Sequence, residues 1–196
     1  MRNPTGRCEY VIFRLPPDLD GSAGLGGWAG CVGSNCGIRG VCLPRPGYAS
    51  AAAALAPARH WSFSWSPLLC RAYRQIVEFL RGQRSDFALP MDLQGLSDFA
   101  VEVLSGLRRI GYGQTCSYGE LASSVGRPRA SRAVGRVMAS NPLPLVFPCH
   151  RVVGRNGRLV GFGGGLPQKS SLLALEASCS STFDHTRPTA TTFRVG

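Results

Sequence analysis

The sequence is short of acidic residues, and the shortage is greatest in its second half. The 196 residues include 11 Asp and Glu against 22 Lys and Arg, a formal charge of +11. Between positions 104 and 170, ten basic residues accompany a single acid, Glu120, which gives a local charge of +9. Such clustering favours a polyanionic partner such as nucleic acid, although basic residues can also merely solvate a surface. The ten are Arg108, Arg109, Arg127, Arg129, Arg132, Arg136, Arg151, Arg155, Arg158 and Lys169.

The sequence also lacks any apolar run long enough to cross a membrane, and residues 1–13 lack the apolar core of a signal peptide. We therefore expect no membrane partner and a cytoplasmic protein, associated with the nucleoid in a bacterium or nuclear in a eukaryote. Disulfides rarely persist in such a reducing compartment. A hydrophobic content of 44% is high enough for most of the chain to fold.

The eight cysteines lack the paired Cys-x-x-Cys blocks of a zinc site. We therefore expect neither a metal nor a cofactor. We predict instead that most of the cysteines are ordinary buried thiols. They are Cys8, Cys31, Cys36, Cys42, Cys70, Cys116, Cys149 and Cys179.

Strand and helix signals in the first half are separated by a segment of unusual composition. Residues 28–32 and 38–43 resemble the two strands of a hairpin. A helix is predicted to begin at Ser66-Pro67, with the serine as its cap and the proline in its first turn. Residues 48–65 are rich in Ala and Ser, which indicates a loop or a poorly ordered insert.

The second half has the spacing of a helix-turn-helix. Apolar residues at helical intervals predict a helix over 99–110. Ser117 and Glu120 form a capping-box pattern for a short helix that ends near position 125. After a Gly-Arg-Pro turn, a basic helix is predicted over 130–139. A short helix, a turn and a basic second helix are typical of DNA-binding proteins, although many helix pairs that bind nothing look alike.

Turn signals also organise the remainder of the second half. Asn156-Gly157 predicts a hairpin turn between 152–153 and 159–160. Pro167 is placed to open a last helix.

These signals together predict an α/β (α+β) fold of two domains and a tail. A small sheet-plus-helix domain over 1–86 precedes a mainly helical DNA-binding domain over 87–178, with its helix-turn-helix and short hairpin. The second domain begins with a linker, 87–92. The Ser- and Thr-rich residues 179–196 are predicted to be disordered.

Cys149 is followed directly by His150, and this pair is a candidate for nucleophilic chemistry. A thiol is a weak nucleophile at neutral pH until a base removes its proton or a cation lowers its pKa. Adjacent side chains on an extended segment point apart, so a water molecule could carry the proton from Cys149 to His150. Glu176 is the only acid downstream before the tail and is the natural candidate to orient the imidazole. Cys-His adjacency alone is a weak signal.

At this point the sequence resembles the O6-alkylguanine-DNA alkyltransferases, also called methylated-DNA–protein-cysteine methyltransferases. The resemblance is close over 87–176 and thins upstream to fragments of the family's small N-terminal domain. It rests on Ser117-Tyr118-Gly119-Glu120-Leu121-Ala122, Ser131-Arg132-Ala133-Val134-Gly135, Asn141-Pro142, Pro148-Cys149-His150-Arg151-Val152-Val153, Gly164-Gly165-Leu166, and Lys169 with Leu172-Leu173 and Glu176.

The resemblance implies a transferase that acts once on DNA. Cys149 matches the residue that accepts the alkyl group from O6 of guanine, and also from O4 of thymine. His150 matches the water-bridged base, and Glu176 matches the carboxylate that orients it. Asn141 matches a side chain that braces the turn before the cysteine, although an Asn-Pro pair also simply forms turns.

The resemblance further implies that a monomer binds double-stranded DNA through the minor groove and flips the damaged base out of the stack. Arg132 matches the side chain that fills the gap, with phosphate binding as its alternative role. Tyr118 matches a contact to the flipped guanine, with core packing as its alternative. Phosphate contacts are expected from Arg127, Arg129 and Arg136, and Arg155 is a further candidate DNA contact.

The alkylguanine pocket is expected to include Tyr118, Val152, Phe162, Gly163 and Lys169. Backbone carbonyls of Cys149 and Val152 would accept hydrogen bonds from the exocyclic amine of guanine. Some relatives have serine at the position of Gly163, where this chain offers only its backbone N–H. That difference could widen the tolerated range of alkyl groups.

Three alternatives remain at the level of the sequence. The chain could be a non-catalytic sensor of alkyl lesions, but such relatives replace the cysteine. It could be a helix-turn-helix regulator without repair activity. The unusual first half could also prevent proper folding.

Overall fold

The structure, a computed structural model, describes residues 8–20, 24–56 and 61–183. The first half is built on a four-stranded sheet with the spatial order β3-β2-β1-β4. Neighbouring strands are antiparallel except for the β1–β4 pair, which is parallel. The strands are β1 (Glu9–Arg14), β2 (Trp28–Ser34), β3 (Gly37–Arg45) and β4 (Ser62–Phe63). The predicted hairpin is confirmed as β2 and β3.

Helices cover both faces of this sheet because side chains alternate between the faces along each strand. Val11 and Phe13 on β1 point into the main core, where helix α2 (Pro67–Leu80) packs. Ile12, between them, points to the opposite face and packs with Ala51. The predicted start of α2 is confirmed, since Ser66 Oγ accepts a hydrogen bond from the N–H of Leu69.

The prediction of a loop or disordered insert over 48–65 is wrong where the structure describes that segment. Tyr48–Leu55 forms helix α1, and Ser62–Phe63 forms the edge strand β4. Alanine has the highest intrinsic helix propensity, and its small side chain allows a helix to approach a sheet closely. Ala51 is accordingly fully buried against the outer face of the sheet. Residues 57–60 lie outside the described residues.

The segment 87–92 contains no helix, as expected of a linker, but it is packed rather than free. The N–H of Ile38 donates to Pro90 O at 2.8 Å, and the N–H of Asp92 donates to Ile38 O at 2.9 Å. The Asp92 carboxylate also accepts from Arg39 at 2.9 Å. One hydrophobic core includes residues of both halves, and the domain boundary at 86/87 stays a prediction.

The second half begins with three helices, α3 (Asp98–Arg108), α4 (Tyr118–Ser124) and α5 (Ser131–Ala139). The capping box at the start of α4 is confirmed, because Ser117 and Glu120 exchange hydrogen bonds of 3.2 and 2.6 Å. Helices α4 and α5 pack against each other with a short turn between them, as the helix-turn-helix pattern predicts.

The predicted hairpin around Asn156-Gly157 is wrong in its strand pairing. Both residues adopt the positive φ that an Asn-Gly turn favours. Strand β6 (Val152–Val153), however, pairs in parallel with β5 (Cys116–Ser117). Residues 159–160 form no strand, and the Val160 carbonyl accepts a hydrogen bond from Lys169 Nζ at 2.8 Å.

The predicted disorder of the tail is wrong for residues 179–183. The last helix, α6 (Leu166–Cys179), opens with Pro167 as expected and continues into a 3-10 turn over Ser180–Thr182. Phe183 then packs edge-on against Tyr112, with 5.1 Å between the ring centroids. This aromatic contact holds the chain beyond the Ser-rich end of the helix. Residues 184–196 lie outside the described residues.

The prediction that most cysteines are buried is also wrong. Only Cys31, Cys42 and Cys149 are buried, whereas Cys36 is exposed in the β2–β3 turn and the other four are half-buried. Among the described residues, no helix is long and apolar enough to cross a membrane.

Candidate active site

Cys149 lies directly after a buried apolar segment that ends in a tight turn. Its backbone N–H donates to Phe147 O at 2.7 Å, and Cys149–Arg151 form a 3-10 turn. The Asn141 side chain braces this segment from both ends, donating to Phe147 O at 2.9 Å and accepting from the N–H of Leu143 at 3.0 Å. Asn141 thus braces the turn that leads to Cys149. This is the place that the family resemblance implies for its side chain.

The Cys149 thiol is buried, and only 8% of the residue is exposed. Burial raises the pKa of the thiol, because a thiolate is less well solvated in the protein interior. A hydrogen bond from Asn141 and the positive charge of Lys169 lower it again but do not outweigh burial. The resting side chain is therefore a thiol, and it needs a base to become a nucleophile.

His150, the next residue in the chain, is the candidate for that base. It is fully buried, and its Nε2 lies 2.7 Å from Glu176 Oε1. Burial lowers the pKa of the imidazole, which therefore stays neutral at neutral pH. An ionised Glu176 can only accept at this distance, so Nε2 carries the ring proton and Nδ1 carries the lone pair. Nδ1 is buried and has no hydrogen-bond partner among the described residues.

Glu176 is held by three groups besides His150. Arg151 donates from Nε to Oε2 at 2.9 Å and from Nη2 to Oε1 at 2.9 Å. The backbone N–H of Gly113 donates to Oε2, also at 2.9 Å. Burial alone raises the pKa of Glu176, but the hydrogen bond from His150 and the charge of Arg151 lower it to about 2. Glu176 is therefore ionised at neutral pH although it is fully buried.

Arg151 is the residue of this site that the sequence reasoning missed. The sequence shows it only as a member of the basic cluster over 104–170 and of the motif around Cys149, but it is only 5% exposed and also donates to Ile110 O at 2.7 Å. The signal for it in the sequence is its place next to His150, which was already expected to contact Glu176. A carboxylate buried beside a neutral histidine needs a cation, but its burial is visible only in the structure.

Lys169 is also buried, and it braces the wall of the site from behind. Its Nζ donates to Val152 O at 2.6 Å and to Val160 O at 2.8 Å. Burial lowers the pKa of Lys169. Through these two hydrogen bonds, its ammonium group joins β6 to the segment that leads into the glycine-rich loop over 161–165. The structure thus places Lys169 beneath the predicted pocket rather than on an open face.

Of the other predicted pocket residues, Tyr118 and Phe162 lie near the Cys149-His150 pair. Tyr118 is half-buried. Its burial, and to a smaller extent the nearby Cys149, raise the pKa of its hydroxyl. The Phe162 ring lies 6.5 Å from the His150 ring. Gly163 is exposed, and a side chain at this position would meet no atom within 4 Å.

The arginines divide into two groups. Arg108 is largely buried and pairs with Asp86 at 3.1 Å, so it joins Arg151 and Lys169 as a structural cation. The local charge of +9 therefore overstates the charge that a partner would meet. Among the predicted DNA contacts, Arg155 lies on the turn after β6 and Arg132 near the start of α5. The exposed ones are Arg127, Arg129, Arg132, Arg136 and Arg155.

The ionised Glu176 should make the stability of the protein depend on pH. Its pKa falls from 4.5 to about 2 on folding, so its contribution is complete above pH 4.5 and is lost as the pH falls toward 2. The lowered pKa of Glu176 therefore adds to the free energy of unfolding at neutral pH. Urea unfolding at several pH values between 7 and 2 measures it. In Glu176→Gln this component should be missing, and an identical pH profile for both proteins would contradict the assignment.

Comparison with known proteins places the site in a family. The sequence profile described as "6-O-methylguanine DNA methyltransferase, DNA binding domain" matches residues 98–178. A methylated-DNA–protein-cysteine methyltransferase of Mycolicibacterium paratuberculosis is 47% identical over 105 residues, which cover 54% of this chain and 63% of that protein. Its namesake in Mycobacterium leprae is 44% identical over 115 residues, which cover 57% and 69%.

The similarity in structure covers more of the chain than the similarity in sequence. A crystal structure of Mycobacterium tuberculosis OGT in complex with DNA matches with a TM-score of 0.71 and 30% identity. The match covers 87% of this chain and 94% of that one. It therefore includes much of the first half, where the sequence resemblance was thin. These findings confirm the resemblance inferred from the sequence.

Proposed function

Because this chain belongs to the methylated-DNA–protein-cysteine methyltransferase family, we propose that it repairs DNA by transferring an alkyl group from O6 of guanine to its own Cys149. O4 of thymine is a second substrate position. The observation that carries this proposal is the buried Cys149-His150 pair, whose histidine is fixed by Glu176 at 2.7 Å with Nδ1 open as a base. A non-catalytic lesion sensor or a regulator would have no use for this arrangement.

The chemistry needs one proton transfer and one displacement. His150 Nδ1 takes the proton of the Cys149 thiol through a bridging water molecule. The thiolate attacks the alkyl carbon in line as the C–O bond breaks, and the guanine leaves with the electron pair and takes up a proton. The imidazolium formed on the way is stabilised by the ionised Glu176. The product is a thioether, which the surrounding side chains cannot cleave, so each molecule reacts once.

The exposed arginines suit the delivery of the base. We assign phosphate contacts to Arg127, Arg129, Arg136 and Arg155. Contacts of this kind depend little on the DNA sequence. Arg132 enters the duplex through the minor groove and fills the space of the flipped nucleotide, whose extrusion costs a few kcal/mol. Tyr118 contacts the flipped base beside Cys149. The protein acts as a monomer in the compartment that holds the chromosome.

The test is to incubate the protein with a duplex that carries O6-methylguanine labelled in its methyl group. We expect one label per protein molecule, no further turnover with excess duplex, and the label on Cys149 alone when peptides are examined by mass spectrometry. The other seven cysteines serve as internal controls. Label on another cysteine, or release of several labels per molecule, would contradict the proposal.

A further inference from the structure

The glycine-rich loop over 161–165 passes close to the site, since the Phe162 ring lies 6.5 Å from the His150 ring. Four of its five residues are glycines, and Gly161 and Gly165 have positive φ. Within the loop, the N–H of Gly165 donates to Phe162 O at 3.0 Å. A chain with so little steric restriction has many accessible conformations, so its position depends on anchors from outside the loop.

Two such anchors come from opposite sides. Lys169 holds the start of the loop through the carbonyl of Val160. Arg45, at the end of β3 in the first half of the chain, donates from Nη2 to the carbonyl of Gly163 at 3.2 Å. Since Lys169 already belongs to the predicted pocket, Arg45 is the new element.

Arg45 is itself held in a rigid setting. It pairs with Trp28 across the sheet and lies between two prolines, Pro44 and Pro46. The buried side chain of Gln168, near the start of α6, donates to the carbonyl of Pro44 at 3.1 Å and also to that of Gly24. The end of β3 and the start of α6 are therefore fastened together beside the loop.

We propose that Arg45 is a positioning residue for alkyl transfer, through which the N-terminal sheet sets the conformation of the loop that closes the base pocket. The loop carries Phe162 beside the catalytic His150 and leaves Gly163 exposed. Small displacements of groups that orient a substrate slow a reaction strongly. Releasing the Gly163 carbonyl should therefore slow transfer without changing the nucleophile or its base. This inference rests on the proposed function.

The test measures the rate constant of methyl transfer from two substrates, the duplex containing O6-methylguanine and the free base O6-methylguanine. In Arg45→Ala we expect both rate constants to fall about tenfold, the usual effect of losing one hydrogen bond from a charged group. Affinity for undamaged duplex and the melting temperature should be unchanged. Arg45→Gln keeps an amide donor and should recover part of the rate with both substrates.

Arg14→Ala is the matched control, because Arg14 occupies the same row of the sheet opposite Trp28 but pairs with Asp20. It should react at the wild-type rate. A wild-type rate in Arg45→Ala would overturn the role of Arg45. A lower rate with the duplex alone, together with weaker DNA binding, would also overturn it, because that result indicates a phosphate contact. No recovery in Arg45→Gln would also overturn it. Absence of transfer to Cys149 in the wild-type protein would contradict the proposed function itself, and this inference with it.

Discussion

Cys149→Ala is expected to lose all measurable alkyl transfer while it still binds DNA. Removal of a covalent nucleophile costs far more than about 10³-fold in rate, because no neighbouring group can replace it. The arginines that we assign to the duplex lie on other elements and keep their positions. Transfer is measured with the labelled duplex, and binding by fluorescence anisotropy with duplexes that carry guanine or O6-methylguanine.

The variant should bind the methylated duplex in a stable complex, since the base can be flipped but not repaired. Cys36→Ala is the control, because Cys36 is exposed in the β2–β3 turn and far along the chain from the site. It should transfer at the wild-type rate. Transfer by Cys149→Ala at even a hundredth of the wild-type rate would show that another residue accepts the alkyl group.

Glu176→Gln is expected to lower both stability and activity. The substitution leaves the buried Arg151 guanidinium without its counter-charge, and breaking a buried ion pair in this way costs about 3–5 kcal/mol. The amide also no longer favours the imidazolium that forms on His150 during transfer. Urea unfolding at pH 7 gives the change in free energy, and the labelled duplex gives the rate.

The double variant Arg151→Met/Glu176→Leu separates these two effects. Replacing both members of a buried ion pair by apolar residues of similar size is often nearly neutral for stability. We therefore expect it to recover part of the stability that Glu176→Gln loses, because His150 Nε2 and the N–H of Gly113 remain without their acceptor. Its transfer should stay slow, because His150 Nε2 then has no carboxylate. Full activity in a stable double variant would show that Glu176 has a structural role only.

The predictions from the sequence succeeded where neighbouring residues decide the outcome. Ser66 caps α2 and Ser117 caps α4, because a serine side chain satisfies an N–H of its own first turn. Asn156 forms its turn for a similarly local reason. The pairing of β6 with β5, in contrast, joins residues about 36 positions apart in the sequence. No local pattern in the sequence predicts which distant segment will pair with β6.

The same distinction applies to composition. The segment Tyr48–Leu55 belongs to a stretch whose Ala- and Ser-rich composition predicts a loop or an insert. It is a helix because the outer face of the sheet offers Ile12 and Cys42 as a surface for Ala51. An alanine-rich helix gains most of its stability from such a surface, which is present only when the sheet has formed.

For the site, the sequence by itself determined which residue types are available. Cys149, its neighbour His150 and Glu176, the only acid downstream before the tail, match a nucleophile, a base and a carboxylate of the family that the chain resembles. The tertiary structure decided which charges serve that chemistry. It buried Arg151 against Glu176 and Lys169 beneath the glycine-rich loop, and it brought Arg45 from the first half of the chain to Gly163. The reason is physical: the sequence states that a residue is charged, but whether the charge lies in water or in the interior depends on the elements that pack around it.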